Sequence, residues 1–215
     1  MNLAAILFSA ALLFASVPIF MVFGLGSATT AIWSMNLPWS TLIQVSFGAM
    51  TKHVLIAVPL FIYTGMIMLR GGAAARLVHF ATTLVGHWPG GLGISMILAM
   101  GFFAAFCGSI LAAITAIGTI MIPQMVQQGY PKPFVIVLAA SAAFLEALIP
   151  PSNAAILFSA LTDVPVSKTF AAGFIPGLVL LVLLSIVDIW RCRHLRNPHA
   201  ATAKQRLSAF GSAVP

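Results

Sequence analysis

Two interruptions in otherwise apolar stretches hold the residues best suited to chemistry. Cys107-Gly108-Ser109 breaks an uncharged run of about residues 92–128 near its middle, and Pro150-Pro151-Ser152-Asn153 cuts a run over about 133–161. Where a helix restarts after a break, its first N–H groups lack partners and carry about half a positive charge, which suits an anion. Unwound carbonyls and hydroxyls suit a bare cation such as Na+. Gly108 and Ser109 open one helix and Ser152 and Asn153 open the other, so both breaks are candidate substrate- or ion-binding positions. Gly108, Ser109 and Ser152 are the candidate Na+ ligands. Glu146 is the one acid inside an apolar helix, and burying it ionised costs several kcal/mol. It reads either as a proton or cation site facing the interior, or as an interfacial or protonated carboxyl bonded to a neighbour.

Other polar residues promise less. Thr115 and Thr119 could line a path, but membrane threonines commonly bond back to their own helix. His53, His79 and His87 lie near predicted helix ends, where they face headgroups. Cys107 and Cys192 stand in unlike contexts without metal spacing and read as free thiols. No HExxH, no GxSxG and no pair of membrane carboxylates is present, so enzyme chemistry is not expected and no cofactor is implied.

The elements that must position these residues follow from composition. Of 215 residues, 61% are hydrophobic and 6% charged. Soluble domains carry roughly 25% charged residues, so this chain cannot cover a water-facing surface of its size. A soluble enzyme and a nucleic-acid-binding protein are excluded. The net charge of +7 does not argue otherwise, because Arg191, Arg193, Arg196, Lys204 and Arg206 cluster near the C-terminal end. That is a membrane protein's cytoplasmic flank.

A span needs about 20 apolar residues. Residues 3–25 meet this and read as a retained membrane helix, since no positive charge precedes Lys52. Residues 37–51 suit an interfacial or half-length helix, 54–69 a second span, and 73–86 an amphipathic helix near a membrane face. Residues 92–127 predict a re-entrant hairpin, each arm reaching only about 20–25 Å. Residues 133–161 predict a broken helix, because a Pro-Pro pair lacks the donors to continue one. Residues 168–190 complete the spans, leaving a basic polar tail over 193–215. The fold class is all-α integral membrane: several spans, one hairpin and one broken helix in residues 1–192. The positive-inside rule places the C-terminus and both hairpin ends in the cytoplasm, with Trp88 and Trp190 marking that interface.

The stretches VPLFIYTGMIMLRGGAAARLVHFATTLVGHWPGGLG (58–93), FFAAFCGSILAAITAIGTIMIPQMVQQGY (102–130) and IPPSNAAILFSALTDVPVSKTFAAGFIPGL (149–178) are recognisable. In order, they resemble the large permease subunit of tripartite ATP-independent periplasmic transporters, the DctM-like family. The resemblance covers about residues 3–195. It implies one half of an inverted-repeat, elevator-type symporter of the bacterial inner membrane, coupled to Na+ and taking up organic acid anions. It also implies a small membrane subunit, a periplasmic solute-binding protein and, because family members carry a second inverted half, a complementary C-terminal permease half. The family's tip maps onto Gly108 and Ser109, and its IPPS break onto Pro150, Pro151 and Ser152. This chain departs from the family at the tip, with Ala105, Phe106 and Cys107 before Gly108 and Ala113 where an aspartate is usual. Glu146 stands where a small residue is usual. A non-transporting scaffold or remnant, or a proton-coupled transporter using Glu146, remain the alternatives.

Overall fold

The computed structural model describes residues 3–193, and all regular structure among them is helical. The tail that carries Arg196, Lys204 and Arg206 lies outside the described residues. Contacts divide the chain into two units, Met1–Lys52 and His53–Pro215.

The first unit holds α1 (Leu3–Phe14), α2 (Ile19–Thr29), a π turn at Thr30–Ser34 and α3 (Trp39–Met50). The single span expected over 3–25 is two helices instead. Ser16 takes the left-handed conformation at φ 56°. The Val17 N–H bonds the Leu12 carbonyl and the Ser16 N–H bonds the Leu13 carbonyl, which closes α1 as a Schellman motif. Pro18, with no N–H of its own, then begins a new helix. α3 matches the short segment expected over 37–51 and buries none of its residues.

The second unit is built around a helical hairpin. Its elements are α4 (Ala57–Arg70, extended backwards by a 3-10 turn from His53), α5 (Ala73–Val85), α6 (Gly91–Cys107) and α7 (Ile110–Ala113). After a π turn at Ile114–Gly118 come α8 (Thr119–Gln127), α9 (Lys132–Ala143), α10 (Leu145–Leu148), α11 (Asn153–Thr162) and α12 (Val166–Cys192). From Ile110 to Gln127 the second arm is one continuous helix of 18 residues. By length and composition His53–Arg70, Ile110–Gln127 and Val166–Cys192 can each cross a membrane, and Lys132–Leu148 with Asn153–Thr162 form a fourth crossing bent by 42°.

α6 is the centre of this unit. Ile97, Met100 and Phe103 are completely buried, enclosed by α5, α9 and α12. Such packing is driven by close contact rather than by escape from water, since lipid is as apolar as the side chains. α5 buries Ala74, Leu77, Val78 and Ala81, the i, i+3, i+4, i+7 stripe of an amphipathic helix. That stripe packs on the hairpin. The outer faces of His53–Arg70 and Val166–Cys192 remain almost wholly exposed, with 6% of each window buried.

Candidate functional site

The hairpin tip forms because α6 cannot continue past Gly108. Gly108 adopts φ 60°, a left-handed turn that a side chain would strain, and Ser109 is extended before the helix restarts at Ile110. Space is equally restrictive there. A Cβ on Gly108 would lie 2.5 Å from the Pro151 carbonyl oxygen and 3.3 Å from the Asn153 amide nitrogen. The tip therefore rests directly on the second break, and the two interruptions form one site. Cys107 is buried beside Gly65 of α4, whose missing Cβ leaves room for the sulfur.

The break itself is organised by its own polar groups. Ile149 leaves the helical conformation at ψ 125°, and Ser152 is the extended N-cap of α11. The Ser152 hydroxyl accepts the Ala155 N–H at 3.3 Å and donates to the Ala147 carbonyl at 2.8 Å, linking both sides of the break. Pro150 and Pro151 lie half-buried between them. α12 closes over this region through Gly173, where a Cβ would come within 2.6 Å of the Leu148 carbonyl. The tip, the break and the glycines of α12 thus share one level. From it α11 runs on for 10 residues, about 15 Å. α11 thus carries the broken helix past the level of the hairpin tip.

Glu146 projects from α10 into this junction and is fully buried. Its Oε2 accepts the backbone N–H of Ser109 at 3.1 Å, so a side chain satisfies the first turn of the restarted helix. Its Oε1 is buried without a hydrogen-bond partner, and so is Oδ1 of Asn153. Both are hard oxygen acceptors, and no donor among the described residues bonds either one. An oxygen-preferring cation fits that donor set. Of the residues singled out from sequence, Cys107, Gly108, Ser109, Glu146, Pro151 and Asn153 come together here, while the Ser152 hydroxyl is engaged in holding the break. Thr115 and Thr119 bond back to the carbonyls of Leu111 and Thr115.

Sequence reasoning missed Asp188. It reads as a helix-end acid, yet it is fully buried, with its carboxylate against Gly90 and Gly93 at the start of α6. Tyr130, in the turn between α8 and α9, packs into the same place. Burial first, and then the nearby Asp188 and Cys192, push its phenol above the usual range, partly offset by the N–H groups of Leu92 and Gly93. These residues close the hairpin's base. The glycine spacing Gly90-Gly91-Leu92-Gly93 was the available signal.

Comparison with known proteins gives a consistent result. The profile of the DctM component of tripartite ATP-independent periplasmic transporters matches residues 6–215. The C4-dicarboxylate TRAP transporter large permease protein DctM of Rhodobacter capsulatus is 34% identical over 220 residues, covering 95% of this chain and 50% of that protein. The protein of the same name from Pseudomonas aeruginosa is 40% identical over 162 residues, 75% of this chain and 38% of the relative. An ectoine/5-hydroxyectoine TRAP transporter large permease protein of Ruegeria pomeroyi is 39% identical over 145 residues, 67% of this chain and 34% of the relative. The chain spans about half the length, or less, of these relatives.

Proposed function

This chain belongs to the DctM-component family of tripartite ATP-independent periplasmic transporters, and from that premise we propose that it is the membrane half-site of a Na+-coupled permease for organic acids. It is a multi-pass transport protein, and its relatives are named as permeases rather than enzymes. In the proposed reading it works with a small membrane subunit, a periplasmic solute-binding protein and a complementary C-terminal permease half in the bacterial inner membrane, its C-terminus cytoplasmic.

The observation that carries the proposal is the junction of the two broken helices. Glu146 Oε1 and Asn153 Oδ1 are bare buried acceptors beside a tip whose backbone is unwound. A bound Na+ would supply positive charge there. Glu146 and Asn153 would hold it through side-chain oxygens, and the backbone at Gly108 and Ser109 and the Ser152 N-cap would keep those oxygens in place. Because such unwound backbone must be buried or line a wet cavity, the site belongs inside the protein, away from lipid.

The test is reconstitution of this chain with the C-terminal half of a full-length relative and that relative's small subunit and binding protein. Uptake of a labelled organic acid should follow an inward Na+ gradient and vanish when choline replaces Na+. Uptake indifferent to Na+ would reject the coupling. Failure to transport by this chain, with the relative's own N-terminal half active in the same vesicles, would favour a non-transporting scaffold.

A further inference from the structure

Resting on the transport reading above, we propose that Glu146 sets the charge class of the solute handled at the hairpin tip. The favoured solute is an organic acid that carries a protonated nitrogen in place of one carboxylate.

Three features point the same way. The Ser109 N–H is the first of the free N–H groups that open the 18-residue helix from Ile110, where a solute carboxylate would dock. That donor is already bonded to Glu146 Oε2 at 3.1 Å. Two buried side-chain acceptors at the junction, Glu146 Oε1 and Asn153 Oδ1, have no hydrogen-bond partner among the described residues. They suit positive charge, from the coupling cation or from a solute's protonated nitrogen, and repel carboxylate oxygens. Finally, the segments that build the junction supply no Lys or Arg to offset the added charge. No Lys or Arg occurs from Leu77 to Pro131 or from Pro133 to Ser167, which includes both hairpin arms and the whole break.

Charge counting makes the conclusion independent of which metal cation couples. With Glu146 ionised, the site carries one more negative charge than the same site with Gln, whichever metal cation binds. The best-matched solute then carries one negative charge fewer. Inside a low-dielectric junction such a difference is felt strongly.

Succinate and 4-aminobutyrate test this directly, because they share a four-carbon backbone and differ in one terminal group. The whole chain, purified in lipid nanodiscs, is melted with each probe in NaCl and again in choline chloride. A probe that binds the folded state raises Tm. We expect 4-aminobutyrate to half-saturate the rise at a concentration at least tenfold below succinate, and Glu146→Gln to reverse or erase that preference. Succinate binding more tightly than 4-aminobutyrate to the unaltered chain would overturn the proposal, as would a preference unchanged in Glu146→Gln. Absence of any shift with either probe would overturn it too. The unaltered chain alone is decisive if Glu146→Gln does not fold. Stabilisation by NaCl without either probe reads the coupling ion separately, so the solute class can fail while the Na+ reading stands.

Discussion

Gly108 is constrained twice, by its own backbone and by its neighbour. At φ 60° an L side chain is strained by roughly 1–2 kcal/mol, and the Pro151 carbonyl leaves no room for a Cβ at 2.5 Å. The two costs reinforce each other, because relieving the contact means moving the break, which the Ser152 hydroxyl ties together. Gly108→Ala should therefore lower the Tm of the purified chain by several degrees and separate the tip from the break. Gly118→Ala is the natural control: its Cβ would meet only side-chain atoms at 3.4 Å and beyond, within the second arm. Equal melting of the two variants would mean that the tip does not bear on Pro151 as described. Ser152 offers a second, smaller test. Removing its hydroxyl deletes a helix cap and strands a carbonyl, so Ser152→Ala should destabilise by about 1 kcal/mol, measured in a chemical denaturation series.

At the scale of elements, what holds the broken helix bent is α12. Gly173 brings its backbone against the Leu148 carbonyl, and Gly177 seats Ile149. A larger side chain at 173 would push α12 away from the point where α10 ends. Gly173→Leu is thus expected to raise the labelling rate of the native Cys107 by a permeant maleimide, at least tenfold, in a Cys192→Ala background. Unchanged labelling would show that α12 does not clamp the junction. This clamp also marks where sequence reading reached its limit. The breaks were legible because Pro, Gly and an N-capping Ser act locally on the backbone, and Gly108, Ser109 and Ser152 fall where local rules put them. The ending of α1 at Ser16 was not read, because the apolar run continues through it and masks the one local signal, Pro18. Nor was the destination of Glu146 or Asp188 legible. Each is anchored to a helix start far away in sequence, Ser109 for one and the Gly90–Gly93 turn for the other, and such pairings depend on tertiary packing alone.

For the molecule as a whole, the decisive quantity is the depth of the hairpin tip. α12 is 27 residues long, about 40 Å, with Asp188 beside the hairpin's base and Gly173 beside the break at the tip's level. The 15 residues from Gly173 to Asp188 place the tip about 22 Å above the base. α11 carries the broken helix a further 15 Å or so beyond it, since it has 10 residues. Two full spans joined at Gly108 would put the tip at the far surface; a re-entrant hairpin would hold it inside the bilayer. Three outward-facing positions sample the difference: Leu111 just after the tip is 76% exposed, Leu161 at the end of α11 is 78%, and Trp190 near the base is 74%. Spin labels at cysteines placed singly at these sites, in a chain otherwise free of cysteine, should differ in relative access to oxygen and to a polar nickel complex. Leu111 is expected to be the deepest, with Leu161 and Trp190 both shallow and the Trp190 label on the side of the hairpin's base. A Leu111 label as accessible to the nickel complex as the Leu161 label would place the tip at the surface. The junction of Gly108, Glu146 and Asn153 would then face water, and neither the Na+ site nor the solute selection argued from it could stand.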